Sequence, residues 1–284
     1  MIILSKVSSL RDALETHRVS KLNISLVPTM GNLHQGHLKL VRAARKNSDI
    51  VVCSIFVNPL QFGPNEDLEN YPKTLEADED KLREAGCDFL FLPEVEEIYG
   101  TSMEEQTLIR VPGITDGFCG TSRPGHFDGV ATIVCKLFNM VQPNSAFFGL
   151  KDYQQFLTIK KLTRDLSLDI SIEGVEIERN SEGLALSSRN SYLTAEELAL
   201  APLIYENLME VSNRVLQGER DFRDLEKSAI EILKAAGLHP EYFSICNAEN
   251  LKAAQQEDNH LVILAATKLS ICRLIDNIRF TLPQ

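Results

Sequence analysis

Val27-Pro-Thr-Met-Gly-Asn-Leu-His-Gln-Gly-His37 is the stretch on which the fold turns, because an apolar run ends there and a helical pattern begins at once. Leu22 to Val27 alternates and closes on Pro28, as a buried strand does at its end. Leu38, Leu40, Val41 and Ala44 then recur at helical spacing. His34 and His37 therefore stand where a strand hands over to a helix. The first turn of a helix carries unpaired backbone N–H groups and a partial positive charge, which suit it to phosphate or carboxylate. Three residues apart on such a turn, the two imidazoles share a face and reach one ligand. Gly31 and Gly36 permit tight turning and close approach of a ring or phosphate to the backbone. Histidines at a helix start also serve as caps, and a catalytic zinc needs more than the two ligands in view. The HxGH string takes its value from its place, after a strand and before a helix.

Working outward, Ile2 to Leu4 reads as a short strand, and Ser8 or Ser9 caps a helix to about Arg18. Asp49 to Val57 is nearly continuous in Val and Ile, as expected of a strand covered on both faces. Thr74 to Ala85 has helical spacing, Cys87 to Leu92 reads as a strand, and Val130 to Met140 as a helix. Asn144 to Phe148 is another strand, followed by a helix to about Arg164 and a last strand at Asp169 to Ile177. Alternation of this kind predicts an α/β fold, a Rossmann-like doubly wound parallel sheet over residues 1–176. Beyond the turn-rich Arg179 to Gly183 the pattern changes. Helices at Thr194 to Leu216 and Asp221 to Ala236 precede short strands at Tyr242 to Cys246, His260 to Ala266 and Ser270 to Phe280. Residues 177–284 thus form a second, smaller α+β domain.

Ligands of parallel sheets bind beyond the carboxyl ends of the strands, which turns a set of loops into one site. His34 and His37 follow one strand, Asn58 and Gln61 the next, and Lys151 and Asp152 another. Lys151 opposes the helix dipole at its position, which an anionic ligand would explain, and Asp152 also suits an N-cap. Gln61 and Gln155 are neutral amides able to bind hydroxyl and carboxylate groups. Ser187, Ser188 and Arg189 form a loop suited to phosphates, with arginine as the fixed cation. Arg123 and His126 lie in a Pro/Gly loop, as a positioned cation or an ordinary turn. Asp78 is a candidate magnesium contact through water.

The chain has 284 residues, 44% hydrophobic and 24% charged, with a net charge of −11 and no long basic run. That composition is ordinary for a soluble globular protein and argues against a nucleic-acid or anionic-membrane surface. The six cysteines are scattered, form no CxxC and sit mostly in apolar runs, as buried thiols in a reducing compartment do. Met1-Ile-Ile-Leu-Ser-Lys is too short for a signal peptide and no run approaches a membrane span, so a cytoplasmic location is expected.

Five strings, PTMGNLHQGH, SIFVNPLQFGPNEDLENYPKT, RPGHFDGVATIVCKLFNMVQP, FFGLKDYQQ and GLALSSRNSYLT, with LIDN at Leu274 to Asn277, resemble the pantothenate synthetase family. The resemblance implies an ATP-dependent ligase of the nucleotidyl-transferase superfamily, which shares HxGH and KMSKS-type signatures with class I aminoacyl-tRNA synthetases. It implies joining of pantoate and β-alanine through a pantoyl-adenylate, with Mg²⁺ assisting and a homodimer as the assembly. Carried over by position, Met30, Gly31, Asn32, Leu33, His34, Gln35, Gly36 and His37 would bind ATP, with His37 as proton donor. Gly149, Leu150, Lys151, Asp152, Glu178, Leu186, Ser187, Ser188 and Arg189 would complete the nucleotide site. His34, His37, Lys151 and Arg189 would be the catalytic group. Gln61 and Gln155 would hold pantoate, with Gln61 also near β-alanine and Asn58 and Arg123 beside them; Asp78 would serve magnesium. The family usually carries Glu where this chain has Leu150. Two other readings stay open: an adenylyl transferase acting on a different small acid, and a nucleotide-binding protein without catalysis.

Overall fold

The apolar run after Leu22 forms one of the two central strands of a six-stranded parallel sheet, in which every strand is followed by at least one helix before the next. The computed structural model describes residues 1–64, 66–103, 105–270 and 272–283. The strands are β1 (Ile2–Leu4), β2 (Ile24–Thr29), β3 (Ile50–Ile55), β4 (Phe89–Phe91), β5 (Ser145–Gly149) and β6 (Ser171–Val175), in spatial order β1-β4-β3-β2-β5-β6. The helices of this part are α1 (Val7–Val19), α2 (Gln35–Asn47), α3 (Leu75–Ala85), α4 (Val95–Tyr99), α5 (Cys119–Ser122), α6 (His126–Val141) and α7 (Tyr153–Asp165). The expected α/β architecture is therefore present. All six residues of β3 are buried, as its unbroken Val and Ile content requires of a strand covered on both faces.

The order reverses at β2: β3 and β4 build outward on one side, and the chain then returns to lay β5 and β6 on the other. That reversal is the topological switch point at which such sheets bind ligands. Its opening has a visible origin. β2 and β5 pair only at Ser25 with Ser145 and Leu26 with Ala146, while β2 continues beside β3 to Thr29 and β5 beside β6 to Gly149. Pro28, which has no N–H to donate, lies in the part of β2 that faces no partner on the β5 side.

Local expectations needed adjustment at several ends. Helix α1 is not capped by Ser8 or Ser9; Lys6 is its N-cap, and the distant Glu97 carboxylate accepts from Val7 N–H at 2.8 Å. α6 begins four residues earlier than the apolar spacing indicated. The pattern over 194–216 breaks at Pro202 into α8 (Ala195–Leu200) and α9 (Leu203–Leu216), because an interior proline removes a hydrogen bond and crowds the preceding turn.

By its internal contacts the chain divides into Met1–Leu150 with Gln154–Glu176, and Lys151–Tyr153 with Ile177–Gln284. The second unit carries α8, α9, α10 (Phe222–Ala235) and an antiparallel sheet of β7 (His239–Asn247), β8 (His260–Leu269) and β9 (Cys272–Thr281). Leu208 and Val211 of α9, Leu225 and Leu233 of α10, and Phe243, Ile245, Leu261 and Ile263 of the sheet share one core. The first unit has its own, with Val27, Leu38, Val41, Val51, Leu82 and Leu90. All six cysteines are free thiols. Among the described residues no helix is long and apolar enough to cross a membrane.

Candidate active site

At the end of β2, Gly31 (φ +83°) and Asn32 (φ +49°) turn the chain through left-handed backbone into α2. A Cβ at Gly31 would lie 3.2 Å from Ile55 Cγ2 and 3.3 Å from Asp78 Oδ2, so both the conformation and the space call for glycine. His34 is the N-cap of α2. Its Nδ1 accepts from Gly36 N–H at 3.1 Å, and His37 Nδ1 accepts from His34 N–H at 3.3 Å, a reciprocal capping box. An imidazole that accepts on Nδ1 carries its proton on Nε2 when neutral, so these backbone donors assign both rings as Nε2–H donors. The ring centroids stand 4.1 Å apart. Capping and ligand binding are therefore compatible: one nitrogen of each ring caps the helix and the other is a donor.

Asp78, expected as a magnesium contact, has a different role. It is only 1% exposed. Its Oδ1 accepts from Leu33 N–H at 2.8 Å, and Oδ2 accepts from Asn32 N–H at 2.8 Å and Thr74 Oγ1 at 3.1 Å. Lys81, one turn along α3, donates to Leu33 O at 2.8 Å. Asp78 and Lys81 thus hold the turn between β2 and α2 from behind, and carboxylate oxygens so engaged are poorly placed for a metal. Among the described residues no group of three or more His, Cys, Asp or Glu gathers as a metal site.

Beyond β3 a short 3₁₀ turn, Pro59–Gln61, carries Gln61. Its Nε2 lies 3.3 Å from Met30 Sδ, which brings two of the sequence-identified residues together. Asn58, expected to touch substrate, is 1% exposed and supports Gln61 instead: its Nδ2 donates to Gln61 Oε1 at 3.0 Å and to Gly129 O at 3.1 Å. A Cβ at Gly129 of α6 would fall 2.3 Å from Leu60 O and 2.7 Å from Gln61 N, so only glycine lets the helix pass beneath this turn.

Arg123, expected as a substrate cation, is also committed internally. Its Nε and NH2 donate to the two oxygens of Glu66, each at 2.6 Å, and NH1 donates to His126 Nε2 at 2.9 Å. Since arginine only donates, His126 accepts on Nε2 and gives its Nδ1–H to Gln61 O at 2.8 Å. Burial alone would raise the Glu66 carboxyl, but the Arg123 hydrogen bond and charge, with a backbone bond at Gly63, bring it below the usual range.

After β5, Leu150 is 3% exposed and packs on Gly174 of β6, where a Cβ would come within 2.7 Å of Leu150 Cδ2. Its side chain is a core element, so only its backbone suits the nucleotide role expected at this position. Gln154 is buried, donates to Ile114 O and Gly117 O at 2.8 Å and accepts from Cys119 N–H at 3.1 Å. Gln155, the expected pantoate ligand, is only half-buried. The buried neighbour is thus the structural glutamine.

In the second unit, Lys151 O accepts from Asn277 Nδ2 at 3.0 Å, and Tyr153 OH donates to Ala248 O at 2.8 Å. Asp276 takes Arg179 in a two-point ion pair at 2.6 and 2.8 Å, and that guanidinium stacks 3.7 Å from the Tyr205 ring centroid. Glu178 O accepts from Leu186 N–H at 2.8 Å, closing the hairpin-like turn that leads into the Ser187–Arg189 loop. Ser187 Oγ accepts from Arg189 N–H at 3.3 Å, and Cys272 Sγ donates to Arg189 O at 3.4 Å. Sequence reasoning missed the supporting residues Lys81, Glu66 and Gly129, none of which carries a motif of its own. Asn277 was signalled only as part of LIDN.

The sequence family described as pantoate-beta-alanine ligase matches residues 2–279. The pantothenate synthetase of Alteromonas mediterranea is 50% identical, with 99% of this chain and 100% of the relative aligned. That of Pseudomonas fluorescens strain Pf0-1 is 52% identical over 97% of this chain and 96% of its own. Among solved structures, pantothenate synthetase from Thermus thermophilus gives a TM-score of 0.91 at 42% identity, covering 98% and 99% of the two chains. The pantoate-beta-alanine ligase of Francisella tularensis, complexed with beta-gamma ATP and beta-alanine, gives 0.81 at 34% identity, covering 98% and 97%. With its turn, switch point and glutamine platform assembled on the same sheet, this chain belongs to the pantoate–β-alanine ligase family.

Proposed function

We propose that this ligase condenses pantoate with β-alanine to pantothenate, consuming ATP and releasing pyrophosphate and AMP through a pantoyl-adenylate. The observation that carries the reading is the paired-histidine turn at the sheet's switch point, with Gln61 held against Met30. The relative solved with beta-gamma ATP and beta-alanine supports the same substrates.

The pantoate carboxylate is already anionic at neutral pH and needs no activating base. Its oxygen forms a bond to the α-phosphorus as the bond to pyrophosphate breaks. Positioning and charge stabilisation carry that step. His34 and His37 supply Nε2–H donors at a helix N-terminus, and Lys151 and Arg189 supply fixed positive charge. Met30 to His37, Gly149 to Asp152, Glu178 and Leu186 to Arg189 bind the nucleotide, the Leu150 contribution coming from its backbone. Gln61 and Gln155 hold pantoate. In the second step the β-alanine amine bonds to the acyl carbon, the bond to AMP breaks, and the amine gives up a proton. A mixed anhydride is reactive enough that binding the amine beside it provides most of the rate.

Magnesium would enter this reading with ATP and would supply charge stabilisation on its phosphates, without asking a cage of side chains of the protein. Residues 177–284 serve as a lid that limits hydrolysis of the adenylate. The free thiols support a reducing, cytoplasmic setting. The working assembly is a homodimer, and a monomer mass by light scattering at catalytic concentrations would remove it.

Acid-dependent exchange of pyrophosphate into ATP tests the central claim. Pantoate should drive exchange and close analogues should not, and Lys151→Ala should slow it roughly a hundredfold. Equal exchange with unrelated small acids would redirect the assignment to another adenylyl transferase. ATP binding with no acid-dependent exchange would leave a nucleotide-binding protein.

A further inference from the structure

We infer that Tyr99 is a positioning residue that fixes which end of the Gln61 amide faces the ligand, presenting Gln61 as a hydrogen-bond donor to the hydroxy acid. The inference rests on the reading of Gln61 as a pantoate-binding residue. It follows from the donors and acceptors around Asn58, which leave a single arrangement.

Gly129 O can only accept, and it lies 3.1 Å from one terminal atom of the Asn58 amide, which is therefore Nδ2. Leu60 N–H can only donate, and at 3.4 Å it faces the other terminal atom, Oδ1. Two backbone groups thus identify the orientation of this side chain, but the backbone donor to Oδ1 stands at 3.4 Å and holds that end weakly. Tyr99 OH stands 2.6 Å from the same Oδ1 and must be the donor in that contact. Burial pushes the phenol well above its ordinary value, which keeps it protonated for this purpose.

The phenol is itself held. Tyr99 is buried at the end of α4, and the Lys136 ammonium lies 5.1 Å from its ring centroid while donating to Ile98 O at 2.8 Å. With Asn58 set, the other hydrogen of Nδ2 goes to Gln61 Oε1 at 3.0 Å. Oε1 is thereby turned inward, and Nε2 is turned toward Met30 Sδ. A thioether is a weak acceptor and uses one of the two Nε2 hydrogens. The other is the donor assigned to pantoate. Reversing the Gln61 amide would place a carbonyl oxygen before an anionic, oxygen-rich ligand and repel it. Tyr99 touches no reacting atom in this scheme; it acts through Asn58 on the direction of one amide.

Tyr99→Phe removes only the hydroxyl and leaves Asn58 Oδ1 with the longer Leu60 bond, so the Asn58 and Gln61 amides gain freedom to rotate. The KM for pantoate should rise about five- to tenfold, the effect of losing one hydrogen bond. The KM for ATP and kcat at saturating pantoate should stay within about twofold, a split that general loss of packing would not give. In a Gln61→Ala background, Tyr99→Phe should add no further increase, as expected of residues acting in series. Asn58→Asp provides a second route, keeping an acceptor for Tyr99 while removing the donor to Gln61; it decides the matter if Tyr99→Phe does not fold. If Gln61→Ala raises the pantoate KM but neither Tyr99→Phe nor Asn58→Asp does, the positioning role is overturned. If Gln61→Ala itself leaves that KM unchanged, the pantoate assignment of Gln61 has failed instead.

Discussion

Asp78→Asn separates a carboxylate that builds the turn between β2 and α2 from one that binds metal. In the native protein Oδ1 accepts from Leu33 N–H, and Oδ2 accepts from Asn32 N–H and Thr74 Oγ1. An amide of the same shape has one acceptor end, so one of the two backbone N–H groups must face an NH₂ whichever way it is placed. A hydrogen bond to a charged group contributes about 1.5–3 kcal/mol, and a buried donor left without a partner costs about 1–3 kcal/mol. Because Asp78 is 1% exposed, water offers little compensation. The expected loss is roughly 2–4 kcal/mol, or a fall in Tm of about 5–15 °C at about 2–4 °C per kcal/mol. The assay is thermal unfolding without and with magnesium, followed by the KM for ATP. The variant should be destabilised equally in both conditions, with weaker ATP binding because the turn between Gly31 and Leu33 has loosened. A Tm equal to wild type without magnesium, together with a shifted magnesium requirement, would refute the reasoning and return Asp78 to the metal.

Two further outcomes follow from the same geometry. Glu66 has a depressed carboxyl in the folded state, so its pairing with Arg123 contributes stability above the ordinary glutamate value of about 4.3 and loses it as the pH falls through the lower folded value. The gap in urea midpoint between wild type and Glu66→Gln should therefore close as the solution is acidified from pH 7, and a constant gap would count against the pairing. For the lid, a cross-link holding the two units apart should raise adenylate hydrolysis relative to pantothenate formation, measured as AMP released per pantothenate; an unchanged ratio removes the lid.

Strands β2 to β5 were legible because their apolar runs end at or near proline or glycine, and the histidine turn because two glycines and a helical pattern surround it. What the sequence hid was the identity of the groups behind the turn. Asp78 sits three residues before Lys81 on α3, where an acidic and a basic residue at this spacing ordinarily mark a solvated face; only the fold places them against Leu33. Asn58 and Arg123 lie beside Gln61, yet their side chains end on protein groups rather than in open space. Whether a polar atom meets a ligand or a backbone carbonyl is decided by long-range packing that no local spacing encodes. The start of α1 was misplaced for the same reason, since Glu97 lies 90 residues from the N–H it accepts. Leu150 is the instructive exception. Expected in the nucleotide site, it departs from the family's usual Glu, and its apolar side chain fills the room that Gly174 opposite supplies.

Lys151 shows how far a string can mislead about what a residue depends on. By position it follows β5 of the first unit, yet its contacts group it with the second. Its carbonyl is held by Asn277, 126 residues downstream, and the neighbouring Tyr153 hydroxyl is bonded to Ala248 O, 95 residues downstream. LIDN therefore has a physical function beyond marking a family: Asp276 anchors Arg179, and Asn277 fixes the backbone that carries the lysine. Arg189 is tied to the same unit through Cys272. Under the proposed reaction the two phosphate-directed cations are carried by one unit, while the paired histidines and Gln61 are carried by the other. Groups fixed by separate frameworks can be altered separately, so a change that loosens Asn277 bears on adenylation while one that loosens Asn58 bears on the affinity for the acid.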